Sequence, residues 1–425
     1  MSESPPAGPI DSAQRVHALD ALRGFALLGV FISNSLNWFN GRLLLPKEQA
    51  LTLAAPPLEL TVNSLFALLV EQKFVTLFTL LFGLGFALQM TRAEGRGTSI
   101  VPVYRRRLLV LLGIGLVHMF AIWFGDILTT YALVGFLLLS FRQCSEKTVL
   151  VWAALLLFVV PIVFSVGQRV LPAMLDGAAE AERAQKATRE AEAERRAAFL
   201  AGLSSDSVVT TQQANVDYGL ASLPNPNRPM LLSIILGRFL LGLWAGRRGL
   251  LQDVERHRPL LRKLAAWGLG VGGVIGLGIL ALNLSLRGST SAPGWLVWMR
   301  ILKDVGILFL GVGYAAAFAL LFQKARWGKV LGVFTPAGRM ALTLYLMQSV
   351  LSLCVYDGWG LGLVGRAPPS LTLLLTLALF AGQVALSHWW LARFRFGPVE
   401  WLWRSLTYGR AQPMRVAPTA AHAVN

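Results

Sequence analysis

Three polar side chains interrupt the first long apolar stretch of the chain. Asp20 and Arg23 lie three residues apart, and Asn34 follows eleven residues after Arg23. Residues three apart share one face of a helix, so the acid and the base can pair. A rise of about 1.5 Å per residue places Asn34 roughly 16 Å beyond Arg23, near the middle of a bilayer. A membrane helix needs none of these groups in order to span, and their presence therefore predicts a functional site.

A histidine and an aspartate mark the junction of two later apolar stretches. His118 lies ten residues into a stretch that begins near residue 108, roughly 15 Å deep, which matches the depth of Asn34. Imidazole exchanges a proton near neutral pH, so His118 is the best candidate for a general base. The structural alternative is a neutral histidine that is hydrogen-bonded to a neighbouring helix. Asp126 either orients an acceptor or caps the next helix.

The other candidates for substrate binding are polar groups inside or at the ends of apolar stretches: Glu71, Lys73, Arg238, Arg339, Tyr345 and Gln348. Glu71 and Lys73 either shape the vestibule of an acceptor or form an interfacial ion pair. Arg238 is unfavourable in a bilayer unless it faces a cavity or a partner. Arginines at inner helix ends, such as Arg339, either set the membrane orientation or hold anionic phosphates.

Membrane helices must position these side chains. Of the 425 residues, 55% are hydrophobic and only 14% are charged, whereas a soluble domain carries about 25% charged residues. The composition predicts an all-α, polytopic integral membrane protein with about ten transmembrane helices. The apolar stretches lie near residues 24–40, 74–91, 108–125, 127–141, 149–167, 231–246, 264–284, 302–322, 340–356 and 371–391.

Residues 57–70 form a further apolar stretch, which would raise the number of spans to about eleven if it crossed by itself. A separate crossing would put the arginines between 92 and 107 outside, against the positive-inside rule. We therefore expect an outer helix, a re-entrant piece or an extension of the second span. With ten spans both termini lie in the cytoplasm, and the inner segments hold the basic excess behind the net charge of +17. A nucleic-acid partner is not needed to explain that charge.

The longest hydrophilic excursion divides the expected spans into two equal sets. Within it, Ala178 to Phe199 is rich in strong helix formers and predicts a solvated external helix, whereas residues 203–229 predict a loop. The expected organisation follows the chain: a disordered cytoplasmic N-terminus (1–18), a first bundle (19–167), the external insertion (168–230), a second bundle (231–410) and a disordered cytoplasmic tail (411–425).

The sequence lacks the motifs of the common soluble enzymes. It has no nucleophile elbow, no Walker loop and no H-E-x-x-H helix, and its two cysteines, Cys144 and Cys354, do not have a metal-binding spacing. We therefore expect no metal site and no tightly bound cofactor. The glycines between 268 and 278 follow no strand, so they predict close packing of a membrane helix rather than a nucleotide loop.

Three parts of the chain carry a family pattern: Arg15…Leu19-Asp20-Ala21-Leu22-Arg23-Gly24-Phe25-Ala26-Leu27-Leu28-Gly29, His118…Trp123-x-Gly125-Asp126-Ile127-Leu128, and a C-terminal pair, Gly338-Arg339-Met340-Ala341-Leu342-Thr343-x-Tyr345 and Phe394-Arg395-Phe396-Gly397-Pro398-Val399-Glu400-Trp401. On these segments, which together cover most of the chain, the protein resembles the YeiB-type family of bacterial membrane proteins. The resemblance implies a multi-pass protein of the bacterial cytoplasmic (inner) membrane, in contact with the lipid bilayer. It leaves open whether the protein forms an oligomer.

The first helix is also similar to that of a wider group of transmembrane acyltransferases, which includes the O-acyltransferases of bacterial envelopes and the lysosomal heparan N-acetyltransferase. In the envelope enzymes an arginine is followed by ten residues and a histidine, whereas here Arg23 is followed by ten residues and Asn34. An amide cannot act as a base at neutral pH. The resemblance implies acyl transfer, and the depth of His118 leads us to give that residue the role of the base.

Under the first hypothesis, cytoplasmic acyl-CoA is a co-substrate whose phosphates bind near Arg23 and the inner arginines. His118 then deprotonates an acceptor that arrives from outside, and Asn34 stabilises the oxyanion. The acceptor is an envelope carbohydrate or a small molecule, and Glu71, Lys73 and Asp126 shape its vestibule.

Under the second hypothesis, the protein is a transporter or exporter of a small molecule. His118, Arg238 and Asp126 then line the path, and the two sets of spans rock about a site near the midplane.

Overall fold

The computed structural model describes residues 17–175, 177–286 and 296–416. These residues form helices joined by short turns, with one isolated β-bridge between Phe394 and Arg415 and no strand. The first helices are α1 (His17–Asn34), α2 (Lys47–Leu53), α3 (Pro57–Leu69), α4 (Lys73–Glu94), α5 (Val101–Ala121), α6 (Leu128–Leu138), α7 (Glu146–Ala154) and α8 (Val160–Leu175). π-Helical turns at Ser35–Phe39 and Leu155–Val159 extend α1 and join α7 to α8, and a 3-10 turn at Leu139–Phe141 extends α6.

The remaining helices begin in the hydrophilic insertion and continue almost to the end of the described chain. They are α9 (Ala178–Leu203), α10 (Val208–Ala221), α11 (Arg228–Arg247), α12 (Arg258–Ser285), α13 (Leu296–Phe322), α14 (Ala325–Gly332), α15 (Thr335–Arg339), α16 (Ala341–Tyr356), α17 (Pro369–Leu391) and α18 (Pro398–Tyr408).

Within the described ranges, seven helical segments are long and apolar enough to cross a membrane: His17–Phe39, Pro57–Glu94, Glu146–Pro172, Arg228–Arg247, Arg258–Ser285, Trp298–Phe322 and Pro369–Leu391. Two shorter apolar helices, Leu128–Phe141 and Ala341–Tyr356, accompany them. The expected all-α, polytopic membrane fold is confirmed. The number of crossings and the side on which each terminus lies remain predictions.

The stretch at 57–70 folds as a helix of its own and leads directly into the second expected span. It is α3, and α4 begins at Lys73 after a turn in which Gln72 has φ 62°. A left-handed residue breaks the helical path without adding a loop, since the backbone reverses its local twist there. The apolar character of the whole 38-residue segment Pro57–Glu94 is therefore shared by two helices.

Helices from both sides of the insertion share one core. A methyl group built on Gly83 of α4 would lie 2.0 Å from the carbonyl oxygen of Phe239 in α11, and one on Gly242 would lie 2.1 Å from that of Leu80. Likewise, a methyl group on Gly268 of α12 would lie 2.6 Å from the Cα atom of Gly313. Small residues let membrane helices approach this closely, so the packing role predicted for glycine in α12 is confirmed at Gly268.

The insertion is more ordered than expected. α9 is largely exposed, as predicted for a solvated helix, but the expected loop over 203–229 is wrong in its centre, where α10 forms. Ser207 caps α10 by accepting a hydrogen bond from the backbone N–H of Thr210 at 3.3 Å, and caps of this kind start a helix even without an apolar stripe. Asn215 of α10 is buried, which fixes the helix against the rest of the molecule.

The two predicted disordered ends fall mostly on residues 1–16 and 417–425, which lie outside the described residues. The described part of the tail pairs with the turn after α17: the N–H of Arg395 donates to the carbonyl of Met414 at 2.8 Å, and that of Val416 to Arg393 at 3.2 Å.

Candidate functional site

His118 is hydrogen-bonded through both ring nitrogens. Its Nδ1 lies 2.8 Å from Oδ1 of Asp126, and its Nε2 lies 2.9 Å from Oγ of Ser349 in α16. Only 1% of each of His118 and Ser349 is exposed. We refer to these three side chains as the triad, because a carboxylate, an imidazole and a hydroxyl in this order are the groups of nucleophilic acyl transfer.

The carboxylate of Asp126 determines which nitrogen of His118 carries the proton. An ionised carboxylate only accepts hydrogen bonds, so Nδ1 donates to it and Nε2 is left to accept from the Ser349 hydroxyl. The other oxygen of Asp126 accepts from the backbone N–H of Thr129 at 2.6 Å. Asp126 therefore caps the start of α6, as one of the two alternatives predicted, and it also contacts His118; its role in orienting an acceptor stays a prediction.

The chain brings these groups together by ending α5 at Ala121, three residues after His118. The carbonyl of His118 accepts hydrogen bonds from the N–H groups of Ile122 at 3.0 Å and Trp123 at 2.8 Å. This double acceptance closes the helix and turns residues 122–127 back along it, so that Asp126 returns to the level of the histidine. Helical geometry alone would have kept Asp126 about two turns away.

Sequence reasoning missed Ser349 as a functional residue. The sequence signal was present, because Tyr345, Gln348, Ser349 and Ser352 recur at the spacing of one helix face in α16. All four are buried, and the rings of Tyr345 and His118 lie 5.2 Å apart between centroids. A lone serine in an apolar stretch has no motif around it, so only its contact with His118 distinguishes it.

A cavity of about 350 Å³ runs beside α1 on one side of the triad, and we call it the arginine cavity. It is lined along α1 from Leu19 to Asn34, a distance of roughly 22 Å. Seven arginines from five helices and two turns line it: Arg23, Arg92, Arg96, Arg107, Arg339, Arg395 and Arg404. Tyr345, Tyr131 and Gly125 line it as well, and residues such as Phe78, Phe82 and Val30 give it an apolar middle.

The lining of the arginine cavity is strongly basic. Its seven arginines face only two carboxylates among the lining residues, Asp20 and Glu400. Asp20 pairs with Arg23 at 2.9 Å, as the spacing predicted. Glu400 accepts from the N–H groups of Leu342 at 2.6 Å and Thr343 at 3.0 Å, and burial raises its pKa above the usual value because it disfavours the charged form. The cavity is therefore suited to bind an anion with several charges.

A second cavity of about 210 Å³ lies on the other side of the triad, and we call it the aromatic cavity. α10 covers it, since Asn215 accepts from the N–H of Phe124 at 2.7 Å and donates to the carbonyl of Met119 at 3.3 Å. Rings from four parts of the chain line it: Trp38, Phe39, Trp123, Phe124, Phe199 and Trp359. Asp357, at the end of α16, is its one lining carboxylate among the described residues.

The triad lies within the wall between the two cavities, although none of its three side chains lines either one. Its chain neighbours do: Gly125 lines the arginine cavity, and Val350 lines the aromatic cavity. The His118 ring contacts one aromatic ring from each side, Tyr345 of the arginine cavity at 5.2 Å and Trp123 of the aromatic cavity at 6.3 Å between centroids. α1 crosses the same wall, since Asn34 lines the first cavity and Trp38 the second. The crossing coincides with the π-helical turn at Ser35–Phe39, a distortion that is frequent at functional sites.

Comparison with known proteins places the whole chain in one family. The chain is 35% identical over 418 residues to the Bacillus subtilis protein named "Uncharacterized protein YxaH", covering 96% of this chain and 97% of the relative. It is 28% identical over 405 residues to "Uncharacterized protein YeiB" of Escherichia coli, covering 94% and 98%. The chain belongs to the YeiB-type family. Residues 245–410 also match a family model described as "Protein of unknown function (DUF418)", and no solved structure matches the chain.

The family model covers only part of the candidate site, whereas the full-length relatives are aligned over all of it. Ser349, Asp357 and Arg395 lie within residues 245–410, whereas His118 and Asp126 precede them. The triad therefore depends on parts of the chain inside and outside the family model, and the full-length relatives are aligned over both. The printed names of these relatives assign no activity.

Six of the predicted site residues do not line either cavity in the described structure: His118 and Asp126 of the triad, and four others that lie elsewhere. Glu71 pairs with Lys303 at 3.0 Å rather than with Lys73, whose ammonium donates to the carbonyl of Ala67. Gln348 donates to the side chain of Gln383 at 3.1 Å. Arg238 is buried in α11 and interacts electrostatically with Asp304. Each polar group thus has a local interaction that explains its place in an apolar stretch.

Asn34 keeps an accessible side chain on the arginine cavity. Its amide makes no hydrogen bond to another side chain or to the backbone within the part of the chain that the structure describes, and it is half-buried. An amide of this kind can donate to an oxygen that develops negative charge. Asp20, Arg23, Arg339 and Tyr345 line the same cavity, so five predicted residues from α1, α15 and α16 meet there.

Proposed function

We propose that the protein is a membrane-embedded acyltransferase that moves an acyl group from acyl-CoA to an acceptor bound on the opposite side of the triad. One observation carries the proposal: the Asp126–His118–Ser349 triad lies in a wall with a basic cavity on one side and an aromatic cavity on the other. A structural histidine needs one hydrogen-bond partner. Asp126, His118 and Ser349, hydrogen-bonded in this order between two cavities, provide the series of groups that acyl transfer requires.

Acyl-CoA is the donor in this proposal because it combines phosphates with an uncharged arm, and the arginine cavity combines arginines with apolar lining residues. Arginines bind phosphates through several charge-assisted hydrogen bonds, and seven of them line this cavity. The apolar middle beside Val30 and Phe78 accepts the uncharged arm of the donor. The thioester then lies near Asn34 and Tyr345, and the positive-inside rule puts the arginine end in the cytoplasm.

The chemistry proceeds in two steps that use the same proton carrier. His118 Nε2 removes the proton from Ser349 as Oγ bonds to the thioester carbonyl; the C–S bond breaks, and CoA leaves as the thiol with that proton. The acceptor then gives its N–H or O–H proton to Nε2 while it attacks the acyl-serine carbonyl, and the Ser349 oxygen regains a proton as it leaves. Asn34 donates a hydrogen bond to the oxyanion in each step.

Acyl-enzyme labelling tests the proposal. Purified protein in detergent is incubated with acetyl-CoA or palmitoyl-CoA that is radiolabelled in the acyl group, and protein-bound label is measured after denaturation. We expect label on the wild type and none on S349A or H118A. Ser352→Ala is the matched control, since Ser352 lies one turn further along α16 and is equally buried; it should label like the wild type.

Transport is the alternative that the two cavities also favour, because a cavity on each side of a closed wall is the arrangement of a carrier with alternating access. A transporter would move substrate into vesicles without a covalent intermediate. Flux in S349A at the wild-type rate, together with no label on the wild type from either acyl-CoA, would contradict the acyltransferase proposal and support a transporter.

A further inference from the structure

The aromatic cavity contains a buried carboxylate without a cation. Asp357 is only 3% exposed, and its Oδ2 atom has no hydrogen-bond partner among the described residues. No ion pair in the described part of the chain includes Asp357. The carboxylate has a hydrogen bond with the side chain of Trp359 but no cation beside it. A buried carboxylate whose charge is not balanced is unfavourable when ionised, so a cationic ligand would stabilise it.

The backbone around Asp357 does not compensate its charge. Asp357 follows the last residue of α16, where the helix dipole is negative and disfavours an anion. Burial raises the pKa of Asp357 to about 7, because the charged form loses its hydration. Asp357 is also the one titratable side chain that lines the aromatic cavity among the described residues.

The rest of the lining is suited to a cation. Trp38, Phe124 and Trp123 present π-electrons to the same space, and the Phe39 and Trp123 rings lie 4.5 Å apart between centroids. Aromatic faces attract ammonium groups, most strongly where water is excluded. The volume of about 210 Å³ is below the ~300 Å³ lower end for drug-sized ligands, so the ligand is small.

We infer that the aromatic cavity binds a small organic ammonium ion, with Asp357 as its counter-ion and the surrounding rings as its cage. Neutral sugars are less suitable, since the other polar side chains of the lining, Thr211, Gln212 and Asn215, already donate hydrogen bonds to backbone carbonyls. As the acyl acceptor, the ligand would carry an amine or a hydroxyl group. That further role rests on the proposed function, whereas the binding itself does not.

Choline provides the direct test, with 3,3-dimethylbutanol as the neutral molecule of the same shape. Binding to purified full-length protein is followed by tryptophan fluorescence and calorimetry. We expect choline to bind at least ~10-fold more tightly than the neutral analogue, and D357N to lose that preference. The matched control is Asp217→Asn, which removes an exposed carboxylate of α10 that does not line the cavity.

The pH dependence gives a second readout that requires no variant. Choline affinity should rise as the pH increases from 6 to 8, because Asp357 ionises through this range, and it should level off above it. Equal binding of choline and its neutral analogue, binding of glucose as tightly as choline, or no binding of choline at any pH would each overturn the inference. Choline binding without acyl-enzyme formation would preserve this site and remove the proposed function. Acyl-enzyme formation without choline binding would preserve the proposed function and remove this site.

Discussion

At the scale of single residues, the site depends on which ring nitrogen of His118 carries the proton. Asp126 holds the proton of His118 on Nδ1, which leaves Nε2 free to accept from Ser349. The same carboxylate caps α6 through Thr129. The orientation of His118 and the local folding of α6 are therefore combined in one side chain, and a change there must be designed to separate them.

Asp126→Asn makes this separation. The amide oxygen can still accept from Thr129, but the amide N–H₂ faces Nδ1 and favours the tautomer that carries its proton on Nε2. Ser349 then has no acceptor for its proton, so we expect enzyme acylation to slow at least ~10³-fold, by analogy with carboxylate-to-amide changes in serine hydrolases.

The readout is the rate of label incorporation as a function of pH in D126N and wild type. A wrong tautomer leaves the variant slow at every pH, whereas a purely structural defect lowers the melting temperature and the amount of folded protein instead. Wild-type acylation by folded D126N would show that Asp126 does not orient His118.

At the scale of elements, close backbone packing sets the position of the arginine cavity. A methyl group on Gly338 of α15 would lie 1.7 Å from the carbonyl oxygen of Asp20 in α1, and one on Gly24 would lie 2.2 Å from that of Phe334. These contacts hold the Asp20–Arg23 pair beside Arg339. The carbonyl oxygens of Asp20 and Phe334 belong to the backbone, so they cannot move away from an added methyl group by a side-chain rotation.

Gly338→Ala should therefore push α1 and α15 apart. We expect a loss of about 1–3 kcal/mol in the free energy of unfolding, the usual range for overpacking, and weaker binding of CoA. Thermal melting in detergent measures the first effect, and calorimetry with CoA measures the second. Gly270→Ala is the control, since a methyl group there meets nothing within 4 Å and alanine is the better helix former; equal melting temperatures for the two variants would contradict this packing.

At the scale of the whole molecule, charge is distributed unevenly between the two cavities. Seven arginines line the first, and a single carboxylate lines the second. The positive-inside rule explains why arginines collect at one end of the helices, but it does not explain why they converge on one cavity. The anionic donor that we propose would give that convergence a function.

The double variant R96Q/R395Q tests the anion site without touching the triad. Arg96 and Arg395 come from the turn after α4 and the turn after α17, and both line the arginine cavity. We expect CoA to bind at least ~10-fold more weakly, and the loss of affinity between low and high salt to be smaller than in the wild type.

The control for this prediction is R183Q/R189Q, which removes the same charge from exposed positions of α9. Calorimetric titration with CoA at two salt concentrations compares the three proteins. CoA affinities that fall equally in both double variants would show that net charge, rather than the arginine cavity, governs binding.

The sequence alone determined the features that depend on local periodicity. Apolar stretches of bilayer length predicted an all-α membrane protein, and the three-residue spacing of Asp20 and Arg23 predicted their pairing at 2.9 Å. The packing role of Gly268 also followed from residue size. The Asp20–Arg23 pairing depends on neighbours along one helix, where 3.6 residues per turn fix what lies together, and the role of Gly268 depends on its lack of a side chain.

Only the tertiary structure decided which helices face one another. His118 and Ser349 are 231 positions apart, and Glu71 pairs with Lys303 rather than with its neighbour Lys73. Membrane helices are apolar on nearly every face, so their sequence gives little signal for partner choice, and contact between them depends on shape, small residues and polar pairs. For this reason the sequence could single out His118 as a candidate base, while its hydrogen-bond partner Ser349 and the two cavities emerged only when the helices were packed.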